Sequence, residues 1–212
     1  MKQATKQILA RSGLFNRLDL LRRRAELQRW LREGCSGPAP PPIKRRILLS
    51  YLRSHGLTHF VESGTHLGDT LATIAADPAI RCTSIELEPR LFAAARERFS
   101  AYPNVEVLQG DSGSLMPQVV AGLDGPALFW LDGHYSAAET AQGDRDTPIS
   151  AELAAILASP IPGHVILIDD VHCFEGRHDY PHLDELLAAM RRLDRFRIEV
   201  SADIVRLSPR LL

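Results

Sequence analysis

The side chains in this 212-residue chain whose types and spacing could do chemistry are acids that end short apolar runs. They stand at Glu62-Ser63-Gly64, Glu86, Asp111-Ser112, Asp132 and Asp169-Asp170. Carboxylates crowded together repel and raise one another's pKa unless a cation offsets them. A hard divalent ion with oxygen ligands would do so and keep waters or substrate oxygens in its other positions. His134, two residues after Asp132, titrates near neutrality and could take a proton. Asp132, His134, Asp170 and His172 also form a nitrogen/oxygen set, which would favour manganese, iron or zinc over magnesium. The plainer alternative is that each acid is a solvated turn residue or a helix cap, and His172 an ordinary loop histidine.

Repeated strand, turn and helix patterns must position these groups. Strands are expected at Thr58–Glu62, Cys82–Glu86, Val105–Gln109, Ala127–Leu131 and His164–Ile168, then a closing hairpin of Phe196–Val200 and Ile204–Leu207. Helices are expected from about Asp69 to Ala76, Pro89 to Tyr102, Leu115 to Gly122, Thr147 to Ala158 and Leu183 to Leu193. Such alternation predicts an α/β protein, Rossmann-like and doubly wound, with a mostly parallel seven-stranded sheet. The hairpin adds one antiparallel strand at or near an edge. Ligands of such sheets sit beyond the carboxyl ends of the strands, where these acids lie. Adjacent strand residues point to opposite faces, so Asp169 and Asp170 can share an ion only if the chain leaves strand geometry there.

The first of these turns reads Glu62-Ser63-Gly64-Thr65-His66-Leu67-Gly68-Asp69-Thr70, a Glu-x-Gly-x-x-x-Gly-x-Thr pattern. Gly64 can take positive φ, and Gly68 is expected to let the helix pack close to the strand. The spacing is not the Gly-x-Gly-x-x-Gly of dinucleotide-binding folds, which counts against a nicotinamide-dependent oxidoreductase. At these residues the chain resembles the class I S-adenosylmethionine (SAM)-dependent methyltransferases. The resemblance covers about Ile43 to the C-terminus. It implies that Glu62, Ser63, Gly64, Thr65 and Gly68 hold the methionine half of SAM, Glu86 the ribose, and Asp111 and Ser112 the adenine. In motif the chain is most similar to the metal-dependent O-methyltransferases, the catechol-type and macrolide-sugar-type enzymes. That similarity implies a divalent metal, magnesium or manganese, on Asp132, Asp169 and Asp170. His134 stands where the sugar-modifying relatives commonly have an acid, the proposed base. With Asp132 it forms the expected catalytic pair, acting on a small-molecule hydroxyl (sugar, polyketide or phenolic).

Charge is unevenly spread. Residues 1–46 carry 12 Lys/Arg against Asp19, Glu26 and Glu33, a net +9, while the remainder is −10. The basic end could meet an anionic partner or dock on the acidic body of its own chain. Residues 1–36 read as a basic amphipathic helical extension, with a helix over 14–33 stopped by Gly34. Such a helix more often packs on its own domain or a sister subunit than on a membrane, so a homodimer through it is an expectation. Residues 37–42 read as a stiff Pro-rich linker, and 43–212 as the catalytic domain, opening on a helix from Ile43 to His55. A scaffold that binds a partner through the basic helix is the rival from outside catalysis. The acidic rim would repel phosphates and excludes nucleic acid. Cys35, Cys82 and Cys173 match neither a disulfide framework nor a zinc pattern. With no membrane-length apolar run and no signal-peptide core, the reading is of a cytoplasmic protein. The Ser136–Asp146 loop is a candidate lid, His178-Asp179-Tyr180-Pro181-His182 a candidate wall of the acceptor pocket, and Trp130 a core residue.

Overall fold

A computed structural model describes residues 24–35, 37–133 and 147–210. The expected helix over 14–33 falls partly outside these residues; its described part is helical over 24–32. The helix expected from Ile43 runs instead over Pro41–Ser54 (α1), with Pro40 as its N-cap. A proline at the first helical positions loses no hydrogen bond and has its φ already set, so Pro41 and Pro42 open the helix instead of closing a linker. Leu48 and Leu52 are buried beneath α1, each contributing about 1.5–3 kcal/mol.

Seven strands follow in one sheet: β1 (His59–Ser63), β2 (Arg81–Glu86), β3 (Val105–Gln109), β4 (Ala127–Leu131), β5 (Val165–Ile168), β6 (Phe196–Ser201) and β7 (Ile204–Pro209). Their order is β3-β2-β1-β4-β5-β7-β6. The pairs among β1 to β5 are parallel, and β7 runs antiparallel to both its neighbours. The connecting helices are α2 (Asp69–Ala75), α3 (Pro89–Arg98), α4 (Ser112–Ala121), α5 (Ile149–Leu157) and α6 (Leu183–Arg192). The helix expected from Leu115 begins three residues earlier, because the Asp111 side chain caps it by accepting from Ser114 N.

Strand alternation divides the core into two layers. Val61, Phe129, Leu131, Ile166 and Ile168 pack with α4, α5 and α6 on one face. Phe60, Leu128, Trp130, Val165 and Leu167 pack with α1, α2 and α3 on the other. Trp130 is core, as its place inside a strand implied.

Register fixes the carboxyl rim. Ser63 lies level with Ile85 of β2 and Leu131 of β4, and Leu131 level with Ile168 of β5. The next residue of each strand therefore falls in one row: Glu86, Gly64, Asp132, Asp169. The ladder runs on into that row, with Gly64 N donating to Ile85 O (2.9 Å), Asp132 N to Ser63 O (3.2 Å) and Asp169 N to Leu131 O (3.0 Å). Chain order reverses between β1 and β4, the place where open α/β sheets leave a crevice.

Candidate active site

On the β1–β2 side the acids are buried and hydrogen-bonded. The Glu62 side chain accepts from Ser84 Oγ at 2.7 Å, and Ser84 Oγ lies 2.7 Å from Thr65 Oγ1. Full burial pushes the Glu62 carboxyl up to about 8; the Ser84 bond draws it down, while Asp132 and Glu86 add to the rise. Glu86 accepts His66 N at 2.7 Å on one oxygen and Glu88 N at 2.9 Å on the other, so it shapes the turn beside Gly64. Each oxygen keeps a second lone pair for a ligand hydroxyl.

Gly64 has φ 84°, and a Cβ there would lie 2.6 Å from the backbone carbonyl oxygen of Asp132. The glycine is required because the β1 and β4 turns touch. Gly68, with φ 75°, meets the Phe99 ring at the end of α3, not the preceding strand. Asp111 caps α4, its Oδ2 accepting from Ser114 N (2.8 Å) and Ser114 Oγ (2.7 Å). Ser112 is buried beneath the rim, near Gly133.

On the β4–β5 side, Asp132, Asp169 and Asp170 each offer a carboxylate oxygen within 4.8 Å of the others. The condition set by strand alternation is met. β5 ends at Ile168, and Asp170 adopts left-handed backbone (φ 55°, ψ 49°) ahead of a short 3-10 turn, Val171–Cys173. A non-glycine residue in that region costs of order 1 kcal/mol, least for Asp and Asn.

Among the described residues the cation against these carboxylates is a side chain. Lys44, in the first turn of α1, donates to Asp169 Oδ2, and its Nζ lies 3.7 Å from Asp170 Oδ1. Burial weakens the hold of Lys44 on its proton, but Asp169 and then Asp170 and Asp132 more than compensate, so it is an ammonium at neutral pH. The Asp169 pKa is raised as well, by burial and then by the Asp132 carboxylate, against the pull of Lys44.

A small cavity of about 10 Å³ is lined by Asp132, Gly133, Thr147, Glu152, Asp169, Asp170 and Tyr180, room for about one water-sized sphere. Asp169 Oδ1 is buried without a hydrogen-bond partner among the described residues. Clustered hard oxygens, and a buried carboxylate oxygen without a partner among the described residues, fit a divalent cation.

Sequence reasoning missed two participants. Lys44 carried no signal beyond its charge, since 125 residues separate it from Asp169. Glu152 did carry one. It stands three residues after Ile149 and four before Ile156, on the stripe α5 buries. Burial pushes its carboxyl up to about 7, with the Ser112 and Ser63 hydroxyls drawing it down and Asp111 opposing them.

Of the expected polar cluster, Tyr180 lines the cavity, edge-on to Phe174 at 5.0 Å. His182 instead packs its ring over Gly176. His172 is held at Nδ1 by Asp203 Oδ2 (2.6 Å), and Asp170, His172 and Asp203 also bring ligand atoms within 4.8 Å of one another. His134 and the loop over Ser136–Asp146 lie outside the described residues, so the expected base, the nitrogen/oxygen set that includes it and the candidate lid have no described geometry.

No protein-family model matches the sequence, and no curated protein matches it. Solved structures do resemble the fold. An O-methyltransferase from Bacillus cereus in complex with SAH aligns with a TM-score of 0.61 at 15% identity, over 89% of this chain and 90% of that one. The SAH-bound Podospora anserina methyltransferase PaMTH1 aligns with a TM-score of 0.59 at 15% identity, over 95% and 97%. The O-methyltransferase TomG from Streptomyces achromogenes, in complex with SAM, aligns with a TM-score of 0.52 at 18% identity, over 88% of each chain. The chain therefore has the Rossmann-like fold of the SAM-dependent O-methyltransferases it resembles.

Proposed function

We propose that this protein is a SAM-dependent methyltransferase that methylates a hydroxyl of a small molecule with the help of a divalent cation, magnesium or manganese. The observation that carries the proposal is the row of residues Glu86, Gly64, Asp132 and Asp169 on one rim, spanning the reversal between β1 and β4. With strands about 4.8 Å apart, Glu86 and Asp132 stand about 10 Å from each other with Gly64 between them, a span fitted to an elongated ligand.

Glu86 would hold the ribose hydroxyls, and the Glu62–Gly64 turn with Thr65 and Gly68 would shape the methionine side. Asp111 and Ser112, at the start of α4, would face the adenine. SAM supplies an electrophilic methyl group, so the chain's own task is to align donor and acceptor. Asp132, Asp169 and Asp170 would hold the cation, which when bound lowers the pKa of an acceptor hydroxyl. His134 is the proposed acceptor of that proton. Likeness to O-methyltransferases solved with SAM or SAH supports the choice of cofactor and of oxygen as the methylated atom.

The test is release of SAH from SAM in the presence of a pool of phenolic, polyketide and sugar hydroxyls, with and without EDTA. Turnover that EDTA abolishes and the Asp169→Ala/Asp170→Ala variant lacks is expected. Undiminished turnover in that variant would remove the cation from the mechanism.

A further inference from the structure

We propose that Lys44 is a built-in competitor for the cation site, an ammonium that holds the acid triad when no divalent ion is bound and must withdraw when one enters. The inference rests on reading Asp132, Asp169 and Asp170 as that site.

Three observations lead to it. First, the placement of Lys44 is set by packing. Lys44, Leu48 and Leu52 follow one another at four-residue intervals, on one stripe of α1. Burial of Leu48 and Leu52 against the sheet aims the side chain one turn earlier at the carboxyl rim. Pro40, Pro41 and Pro42 fix the start of the helix directly ahead of it, so the position does not depend on a flexible segment.

Second, the ammonium uses the oxygens an ion would need. It donates to Asp169 Oδ2 and stands 3.7 Å from Asp170 Oδ1. A magnesium or manganese ion bound about 2.1 Å from either oxygen would lie within a few ångströms of Nζ. Two cations at that separation in a half-dry pocket repel strongly. Both cannot occupy the triad.

Third, the exchange has somewhere to go. Among the described residues the buried Asp169 Oδ1 has no hydrogen-bond partner while Lys44 holds the other oxygen. The lysine side chain keeps 18% of its surface exposed, so it has a route to solvent. An ion entering the cavity would use the orphaned oxygen, and the ammonium would swing out on its four-carbon stem.

The test is a manganese titration at fixed pH on the full chain, with free Mn²⁺ read by electron paramagnetic resonance. The wild type is compared with Lys44→Met and Lys44→Arg, and SAH binding confirms that each is folded. Lys44→Met is expected to bind Mn²⁺ at least tenfold more tightly than the wild type, and Lys44→Arg no more tightly. Equal affinities in wild type and Lys44→Met would overturn the competition while leaving the cation site in place. Absence of Mn²⁺ binding in both, with SAH binding intact, would remove the cation site and this inference with it. A second measurement needs no variant. Acetylation of Lys44 in the wild type, followed by mass spectrometry, is expected to rise several-fold at saturating Mn²⁺, and an unchanged rate contradicts displacement.

Discussion

Asp170 follows Asp169 directly, yet its left-handed backbone turns the two carboxylates toward one site instead of opposite faces of the sheet. Asparagine tolerates that conformation and a β-branched residue does not. Asp170→Asn should therefore keep the fold and lose Mn²⁺ affinity by tenfold or more. Asp170→Val should in addition be less stable than Asp170→Asn by about 1–2 kcal/mol in urea unfolding. Equal stability of the two variants would show that the backbone there is not held left-handed.

Gly64→Ala tests the contact between the two central turns. The new Cβ would fall 2.6 Å from the Asp132 carbonyl oxygen at a backbone φ of 84°. A loss of about 2–4 kcal/mol is expected in denaturant unfolding, since neither a backbone oxygen nor a positive φ can yield cheaply.

Glu62 sets a pH dependence. Its folded pKa is raised by burial to about 8, above the 4.5 of the free group. A raised carboxyl favours the fold most below pH 4.5, and that contribution is lost as pH rises through 8. Glu62→Gln keeps a side chain for Ser84 to bond but removes the charge. Its melting temperature should fall less than the wild type's between pH 5 and pH 9, a relative gain of a few kcal/mol at the alkaline end. Parallel curves would mean that Glu62 does not titrate in this range.

Asp203 ties the β6–β7 hairpin to the turn that carries Asp170. Its carboxylate accepts both the backbone N–H of His172 (3.0 Å) and His172 Nδ1 (2.6 Å), and its carbonyl accepts Val171 N (3.0 Å). Asp203→Ala is expected to cost about 1–3 kcal/mol and to weaken Mn²⁺ binding without touching SAH binding. Calorimetry with each ligand separates the two.

The strand ends were legible in the sequence because buried parallel strands read as apolar runs, and an acid that closes such a run is conspicuous. Leu131-Asp132 and Ile168-Asp169-Asp170 are the clearest cases, and the register places Asp132 and Asp169 side by side. Glu152 was legible too, as a charge on the apolar stripe of α5, but a lone glutamate among alanines resembles an exposed helix position. Lys44 was not legible. Its place depends on α1 packing over β4 so that its first turn reaches Asp169 beyond β5, a long-range relation that local pattern does not encode. The start of α1 was misjudged for a simpler reason: Pro40-Pro41-Pro42 suits both an extended linker and a helix N-terminus, and the choice is made by Leu48 and Leu52 docking downstream.

The row at the carboxyl rim is tested most directly by calorimetric titration of SAH into the purified wild type and Glu86→Ala. One site per chain with a dissociation constant in the micromolar range is expected for the wild type, weakened at least tenfold by Glu86→Ala. No binding of SAH to the folded wild type at millimolar concentration, with or without Mg²⁺, would contradict a cofactor cleft between β1 and β4.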